Sequence, residues 1–87
     1  MNARDLVAWN LRRLRVLRGI SSETLAADSD VDRSYMSRLE RGVANPSIDV
    51  LERIVRVLEV EMAELFAVPG PNTERPVPLP GGRGRSQ

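Results

Sequence analysis

The chain has 87 residues, enough for one domain, with a formal net charge of +1 and charged side chains at 29% of positions. It contains no cysteine and no histidine, which rules out disulfides and leaves no plausible set of metal ligands. Its apolar runs are too short to span a membrane, and Arg4 and Asp5 interrupt the N-terminus before a secretory apolar core can form, so a cytoplasmic protein is expected.

The distribution of charge says more than its sum. Residues 1 to 18 carry five arginines against one aspartate, whereas residues 47 to 68 carry five acids against two arginines. All thirteen basic residues are arginine. Codon bias in a GC-rich genome produces the same pattern, but arginine also offers a planar fork of donors suited to phosphates and guanine edges.

In chain order, residues 3 to 18 read as a first helix. Leu6, Leu11, Leu14 and Leu17 supply the apolar stripe, Arg12, Arg13, Arg15 and Arg18 the solvated remainder, and Gly19 the stop. Trp9 is expected either to pack at the start of the core or to sit exposed, with core packing preferred. Ile20 leads into a second helix, with Ser21 as N-cap and Glu23 near the positive end of the helix dipole. Leu25 anchors it in the core, and Ala26 allows another helix to approach. The turn Asp28-Ser29-Asp30-Val31 follows, Val31 plugging the space between two helices.

A third helix runs from about Arg33 to Arg41, with Asp32 as N-cap and Gly42 as the left-handed stop. At 100° per residue, Arg33, Ser34, Ser37, Arg38 and Arg41 fall on one arc, opposite Met36 and Leu39. Pro46 forces Asn45 out of helical conformation, and Ser47 caps a fourth helix. Ile48, Leu51, Ile54, Val55 and Leu58 mark its buried face. A short fifth helix is expected from Glu61 to Ala67, presenting Met62, Leu65 and Phe66. Pro69-Gly70-Pro71 closes the domain, giving a folded unit over 1–68 and a Pro/Gly/Arg-rich tail over 69–87 that is expected to be disordered.

From about Leu11 to Phe66 the chain resembles the Cro/C1-type (XRE-like) helix-turn-helix regulators. Leu25 and Ala26 match that family's apolar-then-Ala pair, and Val31, Met36 and Leu39 match its later core positions. Glu40-Arg41-Gly42 followed by Asn45-Pro46-Ser47 resembles its ErG…NPs signature, and Arg15 matches the first-helix arginine that pairs with the glutamate at Glu40. The segment Val31–Gly42 looks close to restriction–modification controller proteins in particular. The resemblance implies an all-α fold, a compact five-helix lambda-repressor-like DNA-binding domain with a disordered C-terminal tail.

Three positions depart from the pattern. Asp30 replaces the usual turn glycine, although aspartate tolerates the left-handed region. Ser22 replaces a common glutamine and puts its phosphate contact and bracing role in doubt. Thr24 replaces the acid that would complete a capping box with Ser21.

What the resemblance implies for function is sequence-specific binding of double-stranded DNA by a homodimer, with the N-terminal half of the third helix in the major groove. Arg33, Ser34 and Arg38 then become base readers. Tyr35 is divided equally between packing and a DNA contact. Ser22, Ser37, Arg41 and Asn45 become phosphate contacts, Asn45 competing with a role in bracing the loop. Arg12 and Arg13 are assigned to a solvated face. Arg15 and Glu40 are expected to form a structural ion pair, and Leu65 and Phe66 are candidates for a dimer contact, the alternative being closure of the monomer core.

Other classes remain. A protein-interaction module such as an antitoxin would use the Pro-rich tail with Arg83 and Arg85, and DNA binding would be secondary. An enzyme is disfavoured because no nucleophile motif and no phosphate-cradling glycine loop occur. No cofactor, metal or small-molecule ligand is expected. The expected place of action is the cytoplasm, associated with the nucleoid.

Overall fold

The computed structural model describes residues 1–70, and the expected disordered tail therefore lies almost wholly outside the described residues. Four α-helices follow in order, α1 (Ala3–Arg18), α2 (Ser22–Asp28), α3 (Arg33–Glu40) and α4 (Ile48–Leu58), then a 3-10 helix (Met62–Phe66). Each α-helix begins at a side-chain cap that satisfies an otherwise orphaned backbone N–H. Asn2 accepts from the Asp5 N–H at 2.9 Å, Ser21 from Thr24 at 3.0 Å, Asp32 from Ser34 at 3.0 Å and Ser47 from Val50 at 3.1 Å. Thr24 does not replace the missing capping-box acid: its hydroxyl accepts from the Ser21 hydroxyl at 3.0 Å, not from the Ser21 backbone N–H.

The ends are just as local. α1 stops at Gly19 with φ 70°, and α4 stops at Glu59, which takes the left-handed conformation at φ 60°. Asp30 also adopts it, at φ 58°, so the turn between α2 and α3 survives without glycine. Gly42 turns the chain after α3 at φ 78°, and a Cβ there would stand 2.7 Å from Asp5 Oδ1.

The core sits where all five elements meet. Leu11, Leu25, Ala26, Met36, Ile54, Leu58 and Leu65 are fully buried, with Val7, Leu14, Leu39, Ala44, Leu51 and Val55 around them. Ala26 has no accessible surface, consistent with α2 lying close against its neighbours.

Several expectations need correction. Leu17 is half-exposed, because the last turn of α1 projects past the elements that cover Leu11 and Leu14; Val7 and Ala8 extend the buried stripe in the other direction. Ile48, as the first residue of α4, lies at its open end and is 67% exposed. Trp9 is only half-buried and stands outside the core cluster. The fifth helix is a single 3-10 segment. Its leading residue Glu61 makes no side-chain cap, and the segment is too short to build an α-helical ladder. Leu65 closes the monomer core with no surface left over, which removes it as a dimer contact, whereas Phe66 remains 40% exposed.

One residue holds that last segment in place. Asn10 is 1% exposed within the apolar stripe of α1. Its Nδ2 donates to the Leu65 carbonyl at 3.0 Å, the Ala67 carbonyl at 2.9 Å and the Leu6 carbonyl of its own helix at 3.1 Å. Its Oδ1 accepts from Arg13 Nε at 3.2 Å and Nη2 at 3.0 Å, and Arg13 in turn lies 3.7 Å from Glu64. Removing this amide leaves the buried Leu65 carbonyl desolvated and without the side-chain donor that serves it, and also releases the Ala67 carbonyl. Asn10→Ala is therefore expected to lower stability by roughly 2–3 kcal/mol in urea denaturation. A wild-type unfolding midpoint would mean that apolar packing of Leu65 alone secures the C-terminal segment.

Candidate nucleic-acid interface

The surface of interest is built on α3 and begins at its cap. One oxygen of Asp32 accepts from the Ser34 N–H at 3.0 Å, the Tyr35 N–H at 3.2 Å and the Ser34 hydroxyl at 2.6 Å. The Ser34 hydroxyl, then the backbone N–H groups of Tyr35 and Ser34, hold the Asp32 carboxyl below its ordinary value; slight desolvation opposes them and the Arg38 charge assists. The inner side of the helix is fixed by Met36 and Leu39, both in the core. Periodicity then sends the remaining positions outward.

Asp32, Arg33, Ser34, Ser37, Arg38 and Arg41 line one open depression of about 610 Å3. Five of the expected DNA-contacting residues therefore share one surface. Tyr35 is half-buried against the core, and Arg38 lies over its ring with the guanidinium carbon 5.3 Å from the centroid. This cation–π contact restrains a long side chain that would otherwise be free. Arg33 reaches across to α2, where Nη1 lies 3.3 Å from Glu23 Oε2. Both side chains are largely exposed, so solvent screens the pair and either partner can be exchanged at little cost. Ser34 directs its hydroxyl to the cap, leaving the oxygen lone pairs as its outward feature.

Two expected residues lie elsewhere. Ser22 is the half-buried first residue of α2. Asn45 lies in the loop after α3 and lines a separate, mainly apolar groove of about 160 Å3 with Pro46, Ile48 and Phe66.

The expected ion pair is present and bidentate. Arg15 Nε lies 2.8 Å from Glu40 Oε2, and Nη2 lies 3.1 Å from Oε1. The side chains retain 18% and 10% exposure. Arg15 Nη1 also donates to the Ile20 carbonyl at 3.0 Å, so one guanidinium joins α1, the α1–α2 connection and the end of α3.

Arg53 escaped the sequence reading. From α4 its Nε donates to the Ser29 carbonyl at 2.9 Å and its Nη2 to the Asp30 carbonyl at 3.3 Å, bracing the turn between α2 and α3 from outside. Backbone carbonyls carry no residue identity, so no spacing rule in the sequence announces such a contact.

A family model described as helix-turn-helix matches residues 11–65. The HTH-type transcriptional regulator SlrR of Bacillus subtilis is 46% identical over 57 residues, covering 64% of this chain. The chain spans only 38% of SlrR's length. The control protein C.BamHI of Bacillus amyloliquefaciens is 37% identical over 66 residues, covering 75% of this chain and 82% of that protein. Among solved structures, the restriction-modification controller protein C.AhdI of Aeromonas hydrophila aligns with a TM-score of 0.70 at 40% identity, covering 72% of this chain and 96% of that one.

The Asp32 cap makes helix α3 sensitive to acid. A carboxylate whose value is depressed by folding stabilises above the ordinary aspartate range, and that contribution is lost as pH falls through the depressed value. In Asp32→Asn the amide oxygen still caps but does not titrate. The variant is expected to lose less stability than wild type between about pH 5 and about pH 3, read by urea denaturation at each pH. Identical acid dependence would show that the cap charge is not linked to folding.

Proposed function

This chain belongs to the helix-turn-helix family of DNA-binding transcription regulators, non-enzymatic proteins, and from that premise we propose that it reads a specific operator with α3 in the major groove. The observation that carries the reading is the single open face of α3 bearing Arg33, Ser34, Ser37, Arg38 and Arg41. Arg38, restrained over Tyr35, is suited to hold guanine O6 and N7 with two hydrogen bonds. Arg33 exchanges Glu23 for a base edge, and Ser34 reads from its lone pairs. Tyr35 supports Arg38 at the edge of the groove. Ser37 and Arg41 hold phosphates, which set register without carrying sequence. Ser22, at the first turn of α2, and Asn45, in the loop after α3, are assigned to phosphates on either side.

The protein acts as a homodimer in the cytoplasm, on the nucleoid. Phe66 and Ile48 are exposed apolar residues that line one groove, and a second copy covering them would bury both. The two copies of α3 would then lie about 34 Å apart on a pseudo-palindrome. Similarity to C.BamHI and C.AhdI along most of their lengths supports a small controller-type regulator acting on its own promoter.

The test is a titration of the full chain against the duplex upstream of its own gene, at several salt concentrations, with an unrelated duplex as control. A saturable preference for the upstream DNA that weakens with salt is expected. Arg33→Ala and Arg38→Ala should each lower discrimination at one base step by roughly 1–3 kcal/mol. Unchanged preference in both would put the reading surface elsewhere, and no binding to either duplex would favour a protein-interaction role. In parallel, Phe66→Asp is expected to shift the protein to monomer in sedimentation and to weaken operator binding. A variant that remains dimeric would exclude the Phe66 face.

A further inference from the structure

We infer that the cleft between α1 and the C-terminal end of α3 is a second seat for the DNA backbone, in which Arg12 acts with Arg41. This rests on the DNA-binding reading above and extends it to a surface that the α3 face does not include. Of the five arginines of α1, three are already engaged, and Arg4 lines the separate groove that holds Phe66. Arg13 bonds Asn10 and faces Glu64, Arg15 holds Glu40, and Arg18 Nη2 lies 2.7 Å from Glu59 Oε1. Arg12 differs: its Nε reaches only the Ala8 carbonyl of its own helix, at 3.4 Å, and among the described residues no acid stands within ion-pair distance of it.

Arg12 is exposed and lines a cleft of about 490 Å3 with Trp9, Asp5, Glu40 and Arg41. Arg41 lines both this cleft and the depression on the α3 face, so the two surfaces share a wall. The charge balance favours an anion. Glu40 is neutralised by Arg15, which leaves the Arg12 and Arg41 guanidiniums against the single carboxylate of Asp5. That carboxylate stands beneath Gly42, at the loop side of the cleft. The half-buried Trp9 indole forms an apolar wall against which a sugar can pack. A strand leaving the major groove beside the end of α3 meets Arg41 first and Arg12 next. The contact adds affinity and fixes orientation, but carries no sequence information.

Two readouts test this. Each phosphate contact contributes a slope of roughly −0.9 to the dependence of log K on log salt. Arg12→Ala and Arg12→Gln, the latter keeping part of the side-chain stem, should reduce the magnitude of that slope by about one, equally for operator and mixed-sequence duplex. Arg56→Ala, at an exposed arginine of α4, removes the same charge and should leave the slope unchanged. Trp9 is the only tryptophan, so its emission should change when wild type binds either duplex. A wild-type slope in both Arg12 variants overturns the inference while the DNA reading stands. An equal loss in Arg56→Ala reduces it to a general charge effect and overturns it too. Failure of wild type to bind any duplex would instead remove the functional reading on which the inference rests.

Discussion

The orientation of the reading helix depends on one bidentate pair. Arg15 and Glu40 tie α1 to the end of α3, and the spare nitrogen of Arg15 closes on the Ile20 carbonyl just before α2. Such a pair adds little net stability over a well-packed apolar replacement, because desolvation offsets most of the attraction. Its consequence is geometric. A guanidinium with three directed bonds admits one relative placement of three segments, whereas leucines in the same space would tolerate several. Loss of either partner would leave a poorly solvated charge and free the axis of α3 together.

The other end of α3 is held by different means. Asp32 fixes its first turn through three hydrogen bonds to one oxygen. The preceding turn, strained at Asp30, is braced by Arg53 reaching from α4 to two consecutive carbonyls. The helix is therefore clamped at both ends by polar contacts, with Met36 and Leu39 between them in the core. Its outer face is left to side chains whose structural contacts are few: the Ser34 hydroxyl on the Asp32 cap, Arg38 over the Tyr35 ring, and the exposed Arg33–Glu23 pair. A recognition surface is preorganised in this way when the backbone is rigid and the contacting side chains are held only by interactions that are easily exchanged.

The local features of this fold were legible in the sequence because they are encoded within a few residues. Ser21, Asp32 and Ser47 cap the helices, and Gly19 and Gly42 turn the chain after α1 and α3, as turn chemistry requires. The outward arc of α3 followed from its period alone. Features that depend on tertiary surroundings were misread. Leu17 and Ile48 have the right spacing for burial but lie at helix ends that nothing covers, Trp9 stands outside the core, and Leu65, which spacing leaves open between a dimer contact and the monomer core, is taken up by the core. Asn10 and Arg53 were missed for another reason: both act on backbone carbonyls, which every residue supplies alike. Asn10 did leave a trace, a polar residue inside the stripe formed by Val7, Leu11 and Leu14. A buried amide within an apolar face needs partners, and that requirement was the available signal.

Asn10 and Arg15 together place α1 in a central mechanical position. Near its middle, Asn10 grips the segment that carries Phe66; one and a half turns later, Arg15 grips the helix that carries the arginine face. The distance between the two grips is set by a continuous hydrogen-bonded helix, which resists bending far more than a loop does. A dimer formed through Phe66 would consequently fix the separation of its two copies of α3 through α1, and would do so before meeting DNA. Operator half-site spacing then becomes a property of α1 and its two polar grips rather than of the α3 surface. Substitutions at Asn10 would in that case disturb the spacing the protein accepts without touching any residue that faces the bases.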